Sequence, residues 1–166
     1  IINCGFEFPA KRITINLAPA DLPKEGGRFD LPIAVGILAA SAQIPIDSLS
    51  QYEFAGELAL SGELRNVVGE IPLALACRES GRKLILPEQS AEKACWVSGA
   101  EVIALTHLSQ LFPHFMGQQQ LPICENKKAP AENNFASYGD LSEVVGQPLA
   151  KRALEISASG NHNLLF

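Results

Sequence analysis

The stretch PADLPKEGGRFDLPIAVGILAASAQIP, residues 19–45, decides how the rest of the chain is read. It lies across the end of a loop rich in Pro and Gly, Ala18 to Arg28, and the run LPIAVGILAASA that follows is apolar almost all round. A helix with no polar face must pack on both sides. Asp30 stands where a side-chain cap is expected, and Pro32 falls in the first turn, where its missing N–H is not needed. Ile44 and Pro45 stop the pattern. The reading is a central buried helix that starts near Asp30.

Upstream of it, KRITINL (residues 11–17) places Ile13, Ile15 and Leu17 on one face, the period of a half-buried strand. Downstream, YEFAGELALSGELRNVV (residues 52–68) reads as two strand-like stretches joined by Ser61-Gly62, where glycine supplies the positive φ that a tight hairpin needs. From Glu70 to Ser80, Ile71, Ala74 and Leu75 fall at helical spacing, with Pro72 in the first turn and Gly81 suited to the C-terminal cap. A strand at Lys83–Leu86, a helix at Gln89–Val97, a strand at Glu101–Leu105 and a helix at Thr106–Phe115 follow. Alternating strands and helices predict an α/β class. After Met116 the pattern fades: residues 117–138 carry three consecutive glutamines and the Lys127-Lys128 pair, and read as a linker. Beyond Asp140 come a loop, a helix with Pro148 at its start and Gly160 after its end, and an apolar strand, NLLF.

Composition sets the outer bounds. The 166 residues are 47% apolar, enough for a core, and 13 basic against 18 acidic side chains give a net charge of -5. That excludes a polybasic nucleic-acid footprint in this chain, though not in a longer assembly. Cys4, Cys77, Cys95 and Cys124 show no CxxC spacing, and His107, His114 and His162 do not complete a ligand set, so no metal site is expected. The thiols suit a reducing cytosol. No run approaches the roughly 20 apolar residues of a membrane helix, and no signal peptide is visible. A cytoplasmic location is expected. The chain starts at Ile1 and stops at Phe166 inside a strand-like run, so both ends are expected to be cuts in a longer protein.

Residues 19–45, together with AGELALSGELRNVVGEIPLALACRESGRKLILP (residues 55–87), resemble the Lon-protease-like domain of ComM/YifB-type proteins in the magnesium chelatase family. DLSEVVGQPLAKRALEISASGNHNLLF (residues 140–166) resembles the start of the AAA+ module that follows it in such proteins. The resemblance implies an α/β (α+β) domain of the ribosomal-protein-type two-layer fold over residues 1–116, a linker over 117–138, and over 139–166 an AAA+ ATPase module cut short before its phosphate-binding loop.

Active Lon-type peptidases set a serine shortly after a Pro-Lys-(Asp/Glu)-Gly run and a lysine base on a later helix. Counted from Pro23-Lys24-Glu25-Gly26, the serine position falls at Arg28, or at Asp30 if the loop is two residues longer. The lysine position falls at Leu73. Neither a hydroxyl nor a lysine base is present, and Ser41, the nearest hydroxyl on the helix, reads as a small packing residue. The expectation is a Lon-like domain with no catalytic residues.

Other candidates have plainer readings. Gly26-Gly27 before a helix could cradle a phosphate, but reads better as a tight loop. Asp30 reads as a cap. Lys24 and Arg28 could meet a partner or DNA, although scattered surface cations are common. Lys151 and Arg152 are expected to be solvated or to meet acidic groups of the ATPase module. Trp96, Phe54, Phe112 and Phe115 read as core or core edge, since no basic residues are interleaved with them as in a base-stacking platform.

By the resemblance, Val144, Val145, Gly146 and Gln147 border the adenine of ATP, giving a partial pocket at Val145, Gly146 and Gln147. The phosphate loop GxxxxGK(S/T) is not in the chain. No cofactor is therefore expected here, while ATP and magnesium are expected in the longer protein. That protein is implied to be a hexameric ring that moves DNA, promoting branch migration during the uptake of transforming DNA. A Lon-type peptidase and an ATPase subunit of a magnesium chelatase are the alternatives.

Overall fold

The computed structural model describes residues 1–18, 26–125 and 139–165. The chain divides into two compact units, Ile1–Ala129 and Pro130–Phe166. Among the described residues the first unit holds α1 (Asp30–Ala40), β1 (Tyr52–Phe54), β2 (Glu57–Leu58), β3 (Leu64–Arg65), α2 (Glu70–Ser80), β4 (Lys83–Pro87), α3 (Glu88–Ala94), β5 (Val102–Leu105) and α4 (Leu111–Phe115). The second unit holds α5 (Pro148–Gly160).

Strands β1, β4 and β5 form a parallel sheet in the order β1-β4-β5, with Tyr52 opposite Lys83 and Leu84 opposite Val102. Parallel neighbours cannot be joined by a tight turn. Here α2 carries the chain from the β2–β3 hairpin to β4, and α3 carries it from β4 to β5. Side-chain alternation then sorts the core. Leu84, Leu86 and Val102 pack with Ala74 and Cys77 of α2 and Ala91 and Ala94 of α3. Ile85, Ile103 and Leu105 turn the other way, onto Leu31, Ala34, Val35 and Leu38 of α1 and Leu111 of α4. Helices therefore stand against both faces of the sheet. The α/β class holds.

The sequence reading of α2 matches the structure at both ends, including Pro72 in the first turn and left-handed Gly81 (φ 67°) after Ser80. Elsewhere the structure differs. Residues 12–17 form no regular element, Ile13 and Ile15 are exposed, and no described strand pairs with them, so the period-2 pattern does not become a strand. Of the loop expected from Ala18 to Arg28, residues 19–25 lie outside the described residues. Asp30 does not cap α1: its Oδ2 accepts the amide of Leu58 at 3.2 Å, tying the helix to the hairpin. The stretch 52–68 is not one hairpin, because β1 leaves for the parallel sheet and only β2 and β3 pair antiparallel across Ser61-Gly62. Helix α3 stops at Ala94, short of Val97. The expected helix Thr106–Phe115 opens instead with a 3-10 turn, Leu108–Gln110, in a capping box built by His107 and Gln110.

Gly62 is a meeting point. At φ 95° it takes a left-handed conformation, and a Cβ there would collide with Cys4 Sγ and lie 2.7 Å from His107 Nε2. Glycine lets the N-terminal turn, the hairpin and the β5–α4 junction close on one point.

The expected linker is only partly seen. Its first residues bond to the first unit: Leu121 N–H donates to His114 Nδ1 at 3.1 Å, Ile123 bridges Ile103, and Cys124 N–H donates to Val102 O at 2.7 Å. They cover the outer edge of β5, which a bare strand would leave open to other chains. Residues 126–138 lie outside the described residues.

In the second unit, the Asp140 side chain caps a 3-10 turn, Leu141–Glu143, by accepting Ser142 N–H at 2.7 Å. Gly160 lies inside α5 rather than after it, and left-handed Asn161 (φ 51°) ends the helix. Arg152 pairs with Glu155 at 3.0 Å, one turn along. No residue of α5 is buried. The expected strand NLLF is absent over Asn163–Leu165, where Leu165 is exposed and pairs with no described strand; Phe166 lies outside the described residues.

Candidate functional site

The two positions that a Lon-type dyad would use come from the entrance to α1 and from α2. Arg28 sits in a 3-10 turn, Gly27–Phe29, just before α1. Gly26 has φ 78°, and a Cβ on Gly27 would lie 2.8 Å from Glu57 Cβ and 2.9 Å from Asp30 Oδ2. The positive φ of Gly26 and the close packing around Gly27 account for the Gly-Gly pair, as a tight loop. Lys24 lies outside the described residues.

From this turn the Arg28 guanidinium crosses to the entrance of α2 and donates from Nη2 to Val68 O at 2.7 Å. Leu73, one turn into α2, donates its amide to Gly69 O at 3.2 Å and packs its side chain against the core beside Ala74. A guanidinium offers no nucleophile and a leucine no base. Asp30 is occupied by the Leu58 amide. Ser41 shares its hydroxyl proton between the carbonyls of Ile37 (2.9 Å) and Leu38 (3.2 Å), a local role at a helix end.

The loop that Arg28 grips is also held from α3. Ser90, 3% exposed, accepts Val67 N–H at 3.1 Å and donates to Val67 O at 3.2 Å, taking the place of a neighbouring strand. Asn66 donates to Gln89 alongside. Beneath lies a cavity of about 630 Å³ lined by Asn66, Val68, Glu70, Gln89, Lys93 and Trp96. Glu70 Oε1 lies 3.3 Å from Lys93 Nζ, and the Glu70 side chain is 12% exposed. Its own backbone N–H at the start of α2 holds it below the usual carboxylate range, with Lys93 adding to this and burial opposing. Trp96 stands half exposed at the cavity wall. Sequence reasoning missed this arrangement, because Ser90 and Val67 are 23 residues apart and neither belongs to a motif.

The remaining expected residues are scattered. Phe54 and Phe115 pack with Tyr52 at the core edge, with centroids 6.2 and 5.3 Å from its ring. Phe112 lies 6.3 Å from Phe6. The four cysteines are thiols, and burial, with Glu53 nearby, pushes Cys77 up to about 11. Among the described residues no three of His, Cys, Asp and Glu converge as a metal site would require, and no helix is long and apolar enough to cross a membrane.

In the second unit Val145 is 95% exposed, Gly146 has φ 75° and Gln147, at φ 52°, leads into Pro148. The three offer an apolar side chain, backbone groups and one amide. They include no cation for phosphate and no carboxylate for magnesium, so they fit at most the base of a nucleotide.

Residues 1–90, more than half of the chain, match the family described as subunit ChlI of Mg-chelatase. The chain belongs to that family. A second ChlI description, magnesium chelatase subunit ChlI, matches residues 140–166. This ChlI-family chain is 50% identical to competence protein ComM of Haemophilus influenzae over 168 aligned residues, which take in 100% of the chain and 33% of the relative. It is 48% identical to the protein YifB of Escherichia coli, over 100% of the chain and 32% of the relative. It is thus a ComM-type, magnesium-chelatase-like chain. Its likeness to Lon protease 2 of Bacillus subtilis is weaker, 28% identity over 59% of the chain and 18% of that protein, and supports the Lon-like character of the first unit. The chain spans about a third of the length of the curated ComM-type relatives it matches.

Proposed function

We propose that this chain is the non-catalytic Lon-like domain (residues 1–116), the connecting segment (117–138) and the start of the ATPase module (139–166) of a longer AAA+ protein of ComM type. That protein would be a cytoplasmic, ring-forming hexamer that uses ATP and magnesium to move DNA, promoting branch migration in natural transformation. The Lon-like domain would support the ring or contact DNA.

The observation that carries the non-catalytic reading is Arg28: where a Lon-type nucleophile would stand, a guanidinium spans to Val68 O and serves as a structural tie. Incubating the chain with unfolded casein and a fluorophosphonate trap tests this. No turnover and no labelling are expected; trap-sensitive cleavage would make it a peptidase. Steady phosphate release by the chain alone would equally contradict the reading.

Support for the longer motor comes from the alignment of the whole chain with a third of a relative named as a competence protein. The second unit adds to it: Val145, Leu149 and Leu165, at 95%, 86% and 97% exposure, form apolar surface of the kind that a larger module covers. By its position, the Val145-Gly146-Gln147 turn would lie against the adenine. The whole protein is tested on a four-way DNA junction. ATP-dependent branch migration is the expected result. ATP hydrolysis with no effect on the junction would overturn the DNA role, and metallation of a porphyrin would favour the chelatase alternative that the family description brings in.

A further inference from the structure

His114, on α4, is 9% exposed and is used by none of the chemistry above. Its Nδ1 accepts the amide of Leu121 at 3.1 Å, so in the neutral ring the proton sits on Nε2. Among the described residues Nε2 has no hydrogen-bond partner and is shut off from solvent. The ring meets Tyr52 of β1 edge-on, with centroids 5.7 Å apart at 86°, and Phe115 of its own helix at 5.0 Å. From β4 it feels the charge of Lys83, which pairs with Glu101 at 3.6 Å; among the described residues no carboxylate pairs with the ring itself. Leu121 belongs to the segment that also reaches the edge of β5 through Ile123 and Cys124.

We propose that His114 is a pH-sensitive latch: its neutral ring holds residues 117–125 on the first unit, and taking up a proton releases them. A proton can enter only at Nδ1, the atom that accepts the Leu121 amide. Once there, it turns acceptor into donor, and two N–H groups then face each other. The new charge would sit among aromatic rings with a lysine near and no paired carboxylate among the described residues, a cost that adds to that of the lost hydrogen bond. Opening the segment lets water reach the ring and removes both penalties.

Geometry and titration agree in direction. Burial, with Lys83 adding, lowers His114 from its ordinary value of 6.5. In the open form the ring returns toward 6.5, so the open form binds more protons below that pH. The closed form is then fully favoured above pH 6.5, and its advantage falls as pH drops, until the closed-state value is passed.

Amide exchange along the whole 166-residue chain, corrected for intrinsic rates, reads the latch directly. From pH 7.5 to 6.5 the protection of the Leu121 and Cys124 amides should hold steady. Below pH 6 it should fall, by no more than about tenfold per unit, as expected for uptake of one proton on opening, and level off once the closed-state value is passed. The Leu84 amide, bonded to Glu101 O at 2.8 Å inside the sheet, should not follow. His114→Gln, which keeps a neutral acceptor, should abolish the pH dependence. If that variant does not fold, the wild-type ring titration followed by NMR decides, since its midpoint must accompany the amide loss. Protection at Leu121 and Cys124 that is flat to pH 5, an equal fall in His114→Gln, or a ring that titrates while both amides stay protected would overturn the proposal.

Discussion

Arg28 Nη2 donates to Val68 O across 2.7 Å, joining the turn before α1 to the loop that leads into α2, 40 residues along the chain. The bond is at the surface, so solvent discounts it, but a charged donor on a carbonyl is still worth about 1 kcal/mol. Arg28→Ala should lower stability by that amount in urea unfolding. Arg28→Ser adds a hydroxyl without adding a base, and trap labelling should remain at background; a labelled serine would mean that some base in this chain had been overlooked.

Ser90→Ala should cost more. It strands both polar groups of the Val67 backbone, whose residue is only 8% exposed. Unsatisfied buried groups of this kind cost about 1–3 kcal/mol each. A urea midpoint within error of the wild type would show that water replaces the hydroxyl without loss.

Three glycines should respond in opposite directions to the same substitution. Gly36, in the middle of α1, is open: a Cβ there meets nothing within 4 Å. Gly36→Ala should stabilise by about 0.5–1 kcal/mol through helix propensity. Gly27→Ala runs into Glu57 and Asp30, and Gly62→Ala into Cys4 and His107 with φ strain added. Both should destabilise by about 1–3 kcal/mol. Thermal melts of the three variants check the order.

Acid should weaken the fold through Glu70. Its folded-state value is lowered from 4.5, first by its own amide and then by Lys93, so below pH 4.5 the unfolded chain binds more protons than the native one. The stability Glu70 contributes is present above pH 4.5 and is lost as pH falls through the lower folded value. Stability measured from pH 5.5 to 3 should therefore decline less steeply in Glu70→Gln than in the wild type. Parallel curves would remove Glu70 from the acid response.

What the sequence discloses follows the range of the forces involved. Helix α2 is legible to the residue because Pro72 and Gly81 are local signals that act within one turn. The side chains that hold the candidate site are not local. Arg28 acts on Val68, Ser90 on Val67 and Asp30 on Leu58, each more than 20 residues away, and no periodicity encodes such a bond. For the same reason Asp30 reads as a cap: a carboxylate before an apolar run carries that signal whether or not a distant amide claims it. KRITINL has the alternation of a strand, yet alternation states only which side chains share a face. A ladder also requires a neighbour, and none of the described strands is aligned with it.

The hairpin tip looks like a natural place to insert a tag or a short epitope, with Leu60 91% exposed. Its backbone tells otherwise. Asn3 donates to Leu60 O at 2.6 Å, the His107 ring lies 3.0 Å from Ser61 O, and Leu108 N–H reaches Gly62 O at 2.8 Å. Added residues at this tip would unfasten the N-terminal turn and the 3-10 turn before α4 together, although the side chain on display touches little. Tolerance to insertion in this chain is governed by which carbonyls are spoken for, and an outward-facing leucine is a poor guide to it.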